Sequence, residues 1–105
     1  MRAFVSLRRQ ADFSRLRQRG RRAAMEAFTL FADPQRPLGR SVVGISVNKT
    51  VGIAVVRNRV RRRIAALLHE ALTGRDPQRV LVVARPAAAT VPYEALRAQL
   101  AKALG

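Results

Sequence analysis

Between Gly52 and Leu72 the apolar residues Val60, Ile64, Leu67, Leu68, Ala71 and Leu72 recur at the spacing of one buried helical stripe, which predicts a long helix. An earlier helix is read from Ser6 to Gln18, with Ser6 as N-cap and Gly20 as stop. At about 100° per residue, Phe13, Leu16 and Arg17 share one side of it and Leu7, Ala11 and Ser14 another. A last helix starts near Pro92, with Thr90 as its cap and Leu96, Leu100 and Leu104 at helical spacing.

The remaining apolar runs carry the period of strands. Residues 21–32, RRAAMEAFTLFA, read as extended chain forming two short strands, with Phe28 and Leu30 facing one way and Ala27, Thr29 and Phe31 the other. RSVVGISVN, residues 40–48, puts Val43, Ile45 and Val47 on one face and the smaller Val42, Gly44 and Ser46 on the opposite one. That second face reads either as an underfilled core strand or as a floor that a ligand's backbone can approach closely. VLVVA, residues 80–84, is the unbroken apolar run of a strand covered on both sides. DPQRPLG (33–39) and TGRDPQR (73–79) hold the Pro and Gly of turns. The order predicts an α/β protein, a two-layer sandwich with three helices on a mixed sheet of about four strands, and residues 1–105 form one domain.

Charge changes the picture more than composition does. The chain carries 21 basic against 6 acidic residues, a formal charge of +15. Its self-repulsion opposes folding unless a polyanion offsets it, and nucleic acid is the partner that fits. All but Lys49 and Lys102 of the basic residues are Arg, a planar bidentate donor suited to phosphate; genomic base composition contributes to that bias too. There is no cysteine, hence no disulfide, thiol nucleophile or thiolate metal site, and a reducing cytoplasm is expected. No apolar run approaches the roughly 18 residues of a membrane span, so no membrane partner is expected. The Arg-rich, acid-poor start also has the composition of an organellar transit peptide, but the pattern continues from it as folded structure.

A protein-borne active site is hard to assemble from these residues. His69, the one histidine, lies off the buried stripe and reads as a surface residue; Asp12, Asp33 and Asp76 sit at a helix start and in turns, with no two acids spaced to share an ion. Two constellations remain. On the long helix, VRNRVRRRIAALL (56–68) puts Arg57, Arg59, Arg61, Arg62 and Arg63 within seven positions, and no acid occurs between Val51 and His69. A solvated helix face usually mixes charge signs; like charges at i, i+4 destabilise the isolated helix, and bound phosphates would remove that cost. The other constellation sets Phe13, Leu16 and Arg17 of the first helix and Phe31 beside the small face of Val42, Gly44 and Ser46. It reads either as core or as a groove in which the bases of an extended single strand stack while arginines meet its backbone.

NKTVGIAVVRNRVRRRI, residues 48–64, resembles the signature of the bacterial ribonuclease P protein subunit. The matching positions are Lys49, Gly52, Ala54, Val55, Arg57, Asn58 and Arg59, followed by Arg61 and Arg62. LRRQADFSRL, FTLF, VGISVNK and VLVVARPAAATVPYEAL resemble further parts of that family, so the likeness runs over nearly the whole chain. It implies a fold like the second domain of a ribosomal S5-type protein, with a left-handed βαβ crossover against the general rule. It also implies a catalyst made of RNA that uses Mg²⁺, bound mainly by that RNA and the substrate, to remove the 5′ leader of precursor tRNA, with the protein as a single accessory subunit. By this resemblance Arg57, Asn58, Arg59, Arg61, Arg62 and Arg63 contact ribonuclease P RNA, and Phe13, Arg17, Phe31, Val42, Gly44, Ser46 and Lys49 form the cleft for the leader. No side chain of the protein is expected to be catalytic. Arg17 stands where an aromatic is common, Ile53 where a polar residue is frequent, and Ala65 and Ala66 where an Arg-Glu pair is usual.

Overall fold

The computed structural model describes residues 3–33 and 39–105. The elements are β1 (Phe4–Ser6), α1 (Gln10–Arg19), β2 (Arg21–Ala24), β3 (Phe28–Asp33), β4 (Ser41–Ser46), α2 (Ala54–Leu72), β5 (Arg79–Ala84), a 3₁₀ turn (Pro86–Ala89) and α3 (Tyr93–Leu104). The strands form one five-stranded sheet in the order β1-β4-β5-β3-β2. β1 runs parallel to β4 and β4 parallel to β5, so α2 makes the parallel crossover between β4 and β5. β3 is antiparallel to both β5 and β2.

The two periodicities sort the core onto two faces. Phe28, Leu30, Val43, Val80 and Val82 meet the α2 stripe of Val60, Ile64, Leu67, Leu68 and Leu72, together with Leu96, Leu100 and Leu104 of α3. The alternate residues Phe31 and Leu81, with Val42 and Val83, meet Leu7, Phe13 and Leu16 on the α1 side. β5 contributes to both clusters, as its unbroken apolar run requires. Fully burying each large apolar side chain contributes about 1.5–3 kcal/mol, so α2 is fixed mainly by its stripe, not by its helix propensity.

The structure corrects several local expectations. Ser6 does not cap a helix: Phe4, Val5 and Ser6 pair in register with Ser41, Val42 and Val43, giving a fifth strand, and α1 begins at Gln10 after the extended Arg9. A three-residue strand that pairs with a segment some 37 positions away leaves no local pattern to read. Ala27 belongs to the main core instead of lying with Phe31, because it falls in the β2–β3 turn, before the alternation of β3 begins. Thr90 closes the 3₁₀ turn, its Oγ1 donating to Ala87 O, while Pro92 stands at the start of α3. His69 is half-buried, and its Nδ1 accepts a 2.8 Å hydrogen bond from the Ala3 amide, tying the start of β1 to the last turns of α2. Most of the loop read at 33–39 lies outside the described residues.

Candidate nucleic-acid interface

β4 delivers the chain to the start of α2 through a tight turn. Asn48 Oδ1 accepts from the Thr50 amide at 3.0 Å, and Asn48 O accepts from the Val51 amide at 3.1 Å, the closure expected of an Asx turn. Gly52 follows at φ +156°, where a Cβ would lie 3.0 Å from Val56 Cγ1 and 3.1 Å from Val56 Cβ. Glycine is thus required for the chain to enter α2 this closely. Lys49 is exposed in the same turn.

From that start the arginines of α2 fan out around the buried stripe. Arg59 and Arg62 are exposed; Arg57, Arg61 and Arg63 are half-buried along its borders. Arg59 Nη2 donates to Ala89 O at 3.3 Å, Arg61 Nη1 donates to Asn58 Oδ1 at 2.8 Å, and the Arg63 guanidinium lies 5.9 Å from the Tyr93 ring centroid. Arg57 Nε is buried with no hydrogen-bond partner. None of these arginines meets a carboxylate among the described residues: the ion pairs of this helical face belong to Arg97, which bridges Glu70 and Glu94. Those two partners, Glu70 first, raise the pKa of Arg97 further above its already high ordinary value. The mixed-sign, solvated patch is therefore the α2–α3 seam, and the first half of α2 is left purely cationic.

The cleft residues come together only in part. Phe13 and Phe31 share the cluster under α1, but Phe31 is 9 % exposed and is a core residue. The space over Gly44 is filled by the protein itself, since a Cβ there would lie 2.8 Å from Phe13 Cε1 and 3.2 Å from Leu7 Cδ2. The small-residue face of β4 is packed by an aromatic ring instead of standing open. The opening is at the edge of β4, where β1 stops opposite Val43 and, among the described residues, leaves Gly44, Ile45 and Ser46 without a strand on that side. There a cleft of about 320 Å³ is lined by Leu7 and Phe13 from the α1 side, Gly44 and Ile45 from β4, and Arg61 and Ala65 from α2. Arg61 thus joins the two constellations. Ser46 is half-buried at the end of β4, Val42 packs in the α1 cluster, and Arg17 is exposed on α1.

Sequence reasoning missed the partners that orient this surface. Ala89 and Tyr93 hold Arg59 and Arg63 from another part of the chain, and no residue near α2 in sequence signals them. No group of three or more His, Cys, Asp or Glu side chains able to hold a metal ion occurs among the described residues, and none of their helices is long and apolar enough to cross a membrane.

The sequence profile described as Ribonuclease P matches residues 1–105. The chain belongs to the ribonuclease P protein family. The ribonuclease P protein component of Thermobifida fusca is 43% identical over 106 residues, covering 93% of this chain and 72% of that one. The component of Lactobacillus delbrueckii subsp. bulgaricus is 38% identical and covers 99% and 88%. In structure, the Staphylococcus aureus ribonuclease P protein superposes with a TM-score of 0.83 at 25% identity, covering 94% of this chain and 91% of that one. The Thermotoga maritima ribonuclease P protein shares the fold at a TM-score of 0.78 and 21% identity, with 92% of each chain covered. Membership in the ribonuclease P protein family gives this chain the role of protein component in an endoribonuclease complex.

Proposed function

We propose that this protein docks on ribonuclease P RNA through α2 and holds the 5′ leader of precursor tRNA in the cleft beside it, while the RNA cleaves. The observation that carries the reading is the first half of α2: Arg57, Arg59, Arg61, Arg62 and Arg63 on a helix fixed by Val60, Ile64 and Leu67, with no carboxylate among the described residues to neutralise them. Preformed guanidinium donors on a rigid element bind phosphate with little ordering cost. Leader contact falls chiefly to Phe13, the accessible aromatic of the pair, for stacking, and to Arg61 for phosphate; Lys49 and Arg17 extend the basic path. In this reading Mg²⁺ is held mainly by the RNA subunit and the substrate, whose phosphate oxygens are the hard ligands that it takes. One protein copy serves each ribonucleoprotein.

The test is reconstitution. Protein alone should leave precursor tRNA uncut, and addition of a bacterial-type ribonuclease P RNA with Mg²⁺ should cut it at the mature 5′ end. Cleavage by protein that persists through further purification would overturn the accessory role. Phe13→Ala should weaken binding of precursor tRNA to the holoenzyme, with little effect on mature tRNA; equal losses on both would remove the leader from the cleft.

A further inference from the structure

Ile53 and Val55 are each 72% exposed, and among the described residues Val5, at 42%, is the one other large hydrophobic side chain classed as exposed. They bracket Ala54, the first residue of α2. The fold gains nothing evident from either. Ile53 occupies the N-cap position without a side-chain cap hydrogen bond, where Asn, Asp or Ser would be favoured. Val55 is an exposed β-branched residue in a helix, where packing does not compensate its lower propensity. Residues that break local rules without structural return concentrate at functional surfaces.

The surroundings select the occupant. Val55 neighbours Arg59 at i, i+4 on the outer face of α2, Arg62 continues the same strip, and Lys49 is exposed in the turn before the helix. No acid lies between Val51 and His69, so an acidic partner is favoured and a basic one excluded. Within a polyanionic RNA the apolar surface consists of base faces and edges, reachable where a nucleotide is unstacked in a loop or bulge. An apolar side chain one helical turn from a phosphate donor matches such a nucleotide: base on Val55, phosphate on Arg59.

We infer that Val55 forms an apolar seat for an unstacked nucleobase of the RNA on which α2 docks, with Arg59 one turn further on holding the adjoining phosphate and Ile53 offering a second exposed apolar side chain at the helix start. This rests on the docking reading above and adds to it a contact that phosphate recognition does not supply. Its thermodynamic signature differs from that of the arginines, because an apolar contact releases no counterions.

The experiment measures binding of the full chain to a bacterial-type ribonuclease P RNA across a salt series, for the parent, Ile53→Asn with Val55→Gln, and Arg59→Ala. The double variant should bind about tenfold more weakly at every salt concentration, with the slope of log K against log salt unchanged. Its melting temperature should equal or exceed the parent's, since Asn is a better N-cap than Ile. Arg59→Ala should instead flatten the slope by roughly 0.7–0.9. In dimethyl sulfate footprints, an unpaired base protected by the parent should become reactive with the double variant. Unchanged affinity of the folded double variant would overturn the seat and leave α2 docking intact, as would a loss that appears only as a change of slope. If the parent itself binds this RNA no better than an unrelated structured RNA, docking on ribonuclease P RNA fails and the seat with it.

Discussion

Gly44 shows how much one missing Cβ decides. In the strand pattern it marks a face where little side chain stands, and the structure puts the Phe13 ring in that space, 2.8 Å from where a Cβ would be. Gly44→Ala therefore forces Phe13 to move, and overpacking of this kind costs about 1–3 kcal/mol. The expected result is a melting temperature lower by roughly 4–8 °C per kcal/mol, and a smaller penalty for Gly44→Ala in a Phe13→Ala background, because the two groups are in direct contact. Additive losses in that double-mutant cycle would mean that the ring does not answer to position 44. The alternation of β4 was legible residue by residue; what sits on the Gly44 face was not. The occupant arrives on α1, and local spacing along β4 carries no information about it.

At the scale of elements, α2 divides into an anchoring half and a charged half, and both were readable because a single helical period governs them. Leu67→Ala should cost about 2–5 kcal/mol, enough to remove much of the stability of a domain this size, as followed by chemical denaturation. Arg62→Glu should act in the opposite sense on stability: it relieves like-charge repulsion with Arg59 three positions away, by about 0.2–0.5 kcal/mol at low salt. The same change should weaken RNA binding and flatten its salt dependence. An Arg62→Glu protein that binds RNA with the parent's slope would show that the outer face of α2 does not meet phosphate. β1 is the contrasting element. Its three residues pair with β4 and its entry is held by His69, so nothing in residues 3–6 alone distinguishes a strand from the first turn of a helix. Reading Ser6 as an N-cap followed a sound local rule that long-range pairing overrode.

For the whole molecule, a formal charge of +15 sets both a cost and a partner. Added salt should raise the melting temperature of the free protein by screening that repulsion, and a saturating polyanion should raise it further, by about 2.7 kcal/mol of stability at one hundred times its dissociation constant. A melting temperature indifferent to both salt and RNA would argue that the charge is already offset within the fold. The sequence by itself determined the helix and strand periods, the segregation of Phe28 from Phe31, the continuous cationic run and the family that its spacing matches, because each of these is written in neighbouring residues. Only the tertiary structure decided that Phe31 is buried while Phe13 lines the cleft, that β1 ends opposite Val43 and leaves the β4 edge open beside Arg61, and that Ile53 and Val55 face solvent. Burial and exposure at those positions follow from segments that meet across the sheet, and a one-dimensional pattern does not encode which segments meet.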